Sequence, residues 1–290
     1  MTRIPAHRND IATVLLGATT QPPWSNLGCW PADAAPGNRA DGSDADNNGD
    51  SEYDRACRRL ALRHAEAVSL HADDRLLDLG CGPGASLRLW QEAFSVRHMT
   101  ALEQRPACVA ALRELSLPGL ERVHQADFDR LPLPGDLPAA GADVAICVDA
   151  AYHARSLRDF TAFAAAAVRP GGRLAFTTLA TTPAWHAATA GQRLLTRQLL
   201  ALAGIPAASL TDHQGIEEVL RATGWAPAGM REQDDVLAGF ADFAGRRGAL
   251  LPWRQRLRPG WRKIALTAGL CRRLQREGLV SYVLVTARRR

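Results

Sequence analysis

From residue 75 onward the chain alternates short strand-like runs with stretches of helical period. "RLLDLG", "HMTALE", "RVHQAD", "ADVAICV" and "GRLAFTT" read as strands bounded by turn residues. Between them apolar positions recur at three- and four-residue steps, predicting helices from about Ala85, Arg105 and Leu157. Upstream, "YDRACRRLALRHAEAVSL" has a moderate helical pattern. Downstream, residues 194–202 and "GIEEVLRATGW" add two helices and "YVLVTARR" a closing strand. Strands that alternate with helices predict βαβ units, hence an α/β fold whose parallel sheet is covered on both faces. No internal repeat is visible.

Composition supports one large unit. At 290 residues and 47% hydrophobic the chain is globular, and folding at this size removes about 75% of the unfolded surface from water. The pattern breaks at residues 31–52, "PADAAPGNRADGSDADNNGDSE", which have almost nothing to bury and predict a flexible acidic loop. The predicted organisation is therefore an N-terminal segment over residues 1–52 and the main domain over 53–290. Within the loop, Asp44, Asp46, Asn48, Gly49 and Asp50 match the opening of a calcium loop. Its eighth position is Ser51 and its twelfth, where a bidentate Glu must close the cage, is Arg55. A cation there opposes calcium, and no metal is expected.

The net charge of +5 is unevenly spread: residues 246–290 carry +12, leaving −7 for the rest. Lys263 is the sole lysine among 35 basic residues, a bias that reads as genome composition. The six cysteines, Cys29, Cys57, Cys81, Cys108, Cys147 and Cys271, include no C-x-x-C pair, so neither a zinc site nor a disulfide framework is expected, and a reducing cytoplasm fits. The apolar run "IATVLLGA" is too short to span a bilayer, and no small-residue cleavage site follows a proper signal core, so a soluble, unprocessed protein is expected.

Candidate chemistry begins in "LLDLGCGPGAS", which places Asp78, Gly80, Gly82 and Gly84 where the first strand ends. Glycines there permit a tight turn and let a ligand approach the backbone at a helix N-terminus. Gly80, Gly82 and Ala85 also fit the dinucleotide pattern G-x-G-x-x-G/A, so the loop alone leaves a nicotinamide cofactor open. The second strand ends in Glu103 and Gln104, and Glu103 can accept from both hydroxyls of a ribose. "HQADFDRLPL" puts Asp127 and Phe128 at the third strand end, and Pro170, Gly171 and Gly172 turn ahead of the fifth strand.

With those four motifs in register, residues 53–290 resemble the class I S-adenosylmethionine-dependent methyltransferases. The resemblance implies a Rossmann-like, seven-stranded, mostly parallel sheet with a helical lid inserted before the last strand, over residues 234–278. It implies that Asp78, Gly80 and Gly82 pass the methionine part of S-adenosyl-L-methionine, that Glu103 holds the ribose, that Asp127 accepts from the adenine amino group and Phe128 packs on the base, and that Gly84 and Gln104 also belong to the cofactor site. No substrate domain with hydride-transfer residues follows the loop, which disfavours an oxidoreductase.

"ICVDAAYHARS" then falls beside the transferable methyl group. It is similar to the "E-S-L-H-H-M" segment of small-molecule methyltransferases that act on sugars, quinones and sterols. His153 falls on the second histidine and is the candidate general base, since an imidazole can take up a proton near neutral pH. Tyr152 replaces the first histidine and is expected to wall the acceptor pocket, while Asp149 is expected to hold the cofactor's amino group, directly or through its backbone carbonyl. Thr178 stands where some sugar enzymes carry an acid. "PPWSNLGCWP" resembles the N-terminal "N-L-G-Y-W" segment of the same group, making Trp30 a second acceptor-site candidate.

The partner expected is thus a small-molecule methyl acceptor, with no obligate protein partner. Two alternatives stand beside it: a nucleic-acid base amino-methyltransferase, from the likeness of Asp149 to Tyr152 to D-P-P-Y without its prolines, and a non-catalytic S-adenosylmethionine-binding protein. Nucleic acid is disfavoured because no separate binding module is recognisable. In the basic C-terminal region Trp261, Ile264, Ala265, Ala268 and Cys271 form one stripe, which fits a lid over the pocket or a peripheral membrane contact.

Overall fold

The computed structural model describes residues 14–30, 50–135 and 137–290. The calcium-like residues Asp44, Asp46, Asn48 and Gly49, and most of the acidic segment, lie outside them. Where that segment rejoins the described chain it is not loop: Ser51 caps helix α1 (Glu52–Ala67), accepting from the Asp54 N–H. Arg55 sits in this helix and donates to the Asp50 carbonyl at 2.5 Å, so the twelfth position of the calcium pattern is helical and cationic.

The βαβ alternation follows: β1 (Arg75–Leu79), α2 (Ala85–Phe94), β2 (His98–Glu103), α3 (Pro106–Glu114), β3 (Leu120–Gln125) and β4 (Ala142–Cys147). A short 3₁₀ turn at Ala151–His153 leads to α4 (Leu157–Ala167), β5 (Val168–Thr181), α5 (Pro183–Ala187) and α6 (Ala190–Leu202). The chain ends with α7 (His213–Ala222), β6 (Trp225–Glu232), α8 (Asp234–Leu250), α9 (Trp253–Arg256), α10 (Pro259–Glu277) and β7 (Val280–Arg289).

The seven strands form one sheet in the order β3-β2-β1-β4-β5-β7-β6, parallel except for β7, which runs antiparallel to both β5 and β6. This is the Rossmann-like architecture that the sequence predicts. The order reverses between β1 and β4, the switch point beyond which a crevice opens at the carboxyl ends of the strands. Leu76, Leu77, Val144, Ala145, Ile146 and Phe176 are fully buried, as strands covered on both faces require.

Two features differ from the expectations. Pro170, Gly171 and Gly172 do not precede the fifth strand but lie within β5, where the pairing with β4 slips between Ala142 and Val144 and Gly171 takes φ +78°. In α10, Trp261, Ile264, Ala268 and Cys271 are buried, but Ala265 is exposed and Leu274 joins the stripe instead. The Trp261 ring packs where Gly248 of α8 leaves room, since a Cβ there would meet it at 2.6 Å. The stripe therefore faces α8 and the core rather than a membrane. Among the described residues no helix is long and apolar enough to cross a membrane.

Candidate active site

Beyond the β1–β4 switch point lies a cavity of about 480 Å³. The tight loop after β1 forms one wall. Gly80 has φ +76°, and a Cβ there would stand 3.0 Å from the Ala150 Cβ and 3.1 Å from the Phe128 ring, so only glycine fits. Asp78, Gly80, Glu103, Gln104, Phe128, Asp149 and His153, all expected from the sequence, line this cavity together. Gly82 and Gly84 do not line it: Gly82 donates its N–H to the Glu103 carboxylate at 2.8 Å, and Gly84 caps α2 with its Cα against Leu112.

The acids are held by specific donors. Asp78 is buried and accepts from the Trp90 indole N–H at 2.7 Å; burial raises its pKa to about 6, against the pull of that bond. Glu103 accepts from the Gly82 N–H and from the Arg105 backbone and Nε, both at 2.9 Å. The guanidinium of Arg105, which also lines the cavity, thus competes for the carboxylate expected to meet a ribose.

Asp149 closes a clasp. It takes φ +56°, a left-handed conformation uncommon outside glycine. Its carboxylate accepts from the Leu27 N–H at 2.7 Å and from the Tyr152 and Tyr282 hydroxyls at 2.5 Å each. Its own N–H donates to Thr177 Oγ1 at 2.9 Å, and Tyr282 stands 3.0 Å from that oxygen. Burial raises the Asp149 pKa, opposed by the donated bonds. Both carboxylate oxygens are therefore engaged by the protein, which leaves the backbone carbonyl for any contact with a ligand's amino group.

His153 is exposed at the cavity wall, with Nδ1 2.9 Å from the Gly204 carbonyl. A carbonyl only accepts, so the neutral ring carries its proton on Nδ1 and the lone pair on Nε2. Three expected residues lie elsewhere. Asp127 is not among the lining residues and pairs with Arg130 at 3.4 Å, and Tyr152 spends its hydroxyl on Asp149. Trp30 stacks on Phe243 of α8 at 4.5 Å and donates to the Leu27 carbonyl. Sequence reading missed Pro23, Trp24, Ser25 and Asn26, which reach the cavity in place of Trp30, as well as Arg105, Gly204 and Lys263. The stretch before Pro23 is tied down at Thr19 and Thr20, whose N–H groups donate to Asp54 of α1 at 2.6 and 3.2 Å.

The glycine cradle, the lining acids and the cavity volume suit a cationic nucleoside cofactor, and the methyltransferase-domain family matches residues 50–228. The chain belongs to that family. It is an S-adenosylmethionine-dependent methyltransferase. The methyltransferase is 32% identical over 209 residues to the malonyl-[acyl-carrier protein] O-methyltransferase of Pseudescherichia vulneris, covering 64% of this chain and 74% of that protein. It is 35% identical over 116 residues to the ribosomal protein L11 methyltransferase of Alkalilimnicola ehrlichii, where the match spans 40% of this chain and only 37% of the relative's length. Among solved structures it resembles the geranyl diphosphate C-methyltransferase of Streptomyces coelicolor A3(2), with TM-score 0.71 and 17% identity over 99% of this chain and 100% of that one, a likeness of fold.

Proposed function

We propose that this methyltransferase methylates an oxygen of a small organic acceptor, with His153 removing the proton. The observation that carries the reading is the bond from His153 Nδ1 to the Gly204 carbonyl, which sets the tautomer and leaves Nε2 basic at the cavity wall. A positioned base of this kind contributes about 10² to 10⁴ in rate when a hydroxyl must lose its proton. The O-methylating relative supports the choice of atom.

When bound, S-adenosylmethionine supplies an electrophilic methyl on a sulfonium. The chain's own residues do the rest. Asp78 and Gly80 take the methionine end, Glu103 and Gln104 the ribose once Arg105 swings aside, and Phe128 packs on the base. Gly82 and Gly84 act indirectly, holding Glu103 and the start of α2. Asp127 reaches the adenine only by leaving Arg130. The Asp149 clasp, with Tyr152, keeps the 3₁₀ turn and hence His153 at a constant distance from the glycine loop. Positioning of this sort accounts for roughly 7 to 11 kcal/mol in a well-oriented reaction. Trp30 acts by pinning the segment at 23–27 rather than by touching the acceptor. Helices α8 to α10 form the lid, with Lys263 at its inner edge, in a protein expected to work in the cytoplasm.

Transfer of labelled methyl into an extract of the source cell, with mass identification of the product, tests this. An O-methyl product whose formation His153→Ala slows at least 100-fold is expected. A carbon- or nitrogen-methylated product, or an unaffected rate, overturns it.

A further inference from the structure

The apolar stripe of α10 is spent on α8, yet the segment from the end of α8 to the middle of α10 leaves other large apolar side chains in water. Leu250 is 77% exposed, Trp253 62%, Leu257 64% and Leu266 76%. At 100° per residue Leu266 lies on the side of α10 opposite the buried Trp261, Ile264 and Ala268. Isolated exposed leucines are ordinary, but four large ones within 17 residues are not scattered.

The charge around them is one-sided. Residues 243–276 contain no carboxylate and ten cations. Some are engaged: Arg246 with Glu52, Arg272 with Asp242 and Arg273 with Glu277. Arg256, Arg258, Arg262 and Lys263, which alternate with the exposed apolar residues, have no ion pair among the described residues, and Arg254 lies over the Trp253 ring at 5.4 Å. An exposed Trp and leucines interleaved with guanidinium groups that have no ion pair among the described residues match the boundary between headgroups and acyl chains of an anionic bilayer. Nucleic acid would use the cations but has no use for Leu250, Leu257 and Leu266, and a protein partner would not need uniform positive charge.

We propose that residues 250–266 dock the enzyme on an anionic membrane surface. Lys263 belongs to this segment and also lines the catalytic cavity, so docking brings the cavity mouth to the lipid, where a lipophilic acceptor would be held. Vesicle binding needs no turnover, so its outcome is independent of the proposed oxygen methylation.

Flotation with vesicles of phosphatidylglycerol and phosphatidylcholine tests the proposal against pure phosphatidylcholine and against polyuridylate. Binding to the anionic vesicles alone is expected. A triple change W253S/L257S/L266S and a separate triple change R254Q/R256Q/R258Q should each weaken it about tenfold or more, with S-adenosylmethionine affinity unchanged as the check on folding. No flotation with either vesicle overturns the proposal, and so does equal binding to neutral vesicles. Binding to polyuridylate that the arginine triple abolishes and the apolar triple spares would make the segment a nucleic-acid surface instead.

Discussion

The glycine-loop end of the cavity and the Asp149 end are built in opposite ways. At the first, Asp78, Gly80, Gly82, Glu103 and Arg105 come from two consecutive strand-loop-helix units, and their contacts are close in sequence, such as Gly82 to Glu103 across 21 residues. At the second, Asp149 gathers Leu27 from 122 residues before it and Tyr282 from 133 after it. The first end is specified by backbone geometry that one substitution destroys. The second is specified by a shared carboxylate, whose loss loosens several elements together.

The sharpest way to break the first end is Gly80→Val. A β-branched residue at φ +76°, within about 3 Å of Ala150 and Phe128, combines backbone strain with a filled cradle. S-adenosylmethionine affinity measured by calorimetry should fall about 100-fold or more, from roughly 3 kcal/mol of combined strain and lost contact. By contrast Gly171→Ala, at φ +78° with open space around it, should cost only about 1 kcal/mol of stability and leave the affinity alone.

The Asp149 end should fail differently. Asp149→Asn puts an amide donor among three donors, and thermal unfolding should show a loss of about 2 to 3 kcal/mol. His153→Ala should leave both stability and cofactor affinity intact, so that any change in turnover belongs to chemistry and not to the clasp.

A smaller effect separates the ends by pH. Asp78 titrates near 6, so it is ionised above that and neutral below. Affinity for the cationic cofactor should fall, by about tenfold at most, as pH drops through 6, while S-adenosylhomocysteine, without the sulfonium, should respond less; Asp78→Asn should abolish the step. Stability has its own pH dependence. His64, buried in α1, has its pKa lowered by burial to about 4. Its folded value lies below the unfolded one, so its contribution is whole above about 6.5 and declines as pH falls toward 4, by up to about 3 kcal/mol. The raised Asp78 works in the opposite sense below about 6, so the decline should emerge in thermal unfolding of Asp78→Asn.

The same contrast explains what the sequence made legible. Strand alternation and the Asp78 to Gly84 loop are local, and so β1 to β5 and Gly80 emerged from pattern alone. Phe128 and His153 reached the cavity as their motif positions implied. Trp30 did not, because the distance from Asn26 to the cavity depends on where Asp149 and α1 grip the segment, and no local pattern encodes a contact across 122 residues. For Asp127 the turn position was visible in the sequence and its pairing with Arg130 was not. Lys263 could have been singled out as the one lysine among arginines, but only packing shows that it meets the cavity.

The placement of β7 has a consequence for biosynthesis. This strand lies between β5 and β6, so neither edge of that half of the sheet finds its partner until residues 280–289 leave the ribosome. Tyr282 arrives with it. The glycine-loop half can therefore be ordered on a nascent chain while the Asp149 carboxylate still lacks one of its three donors.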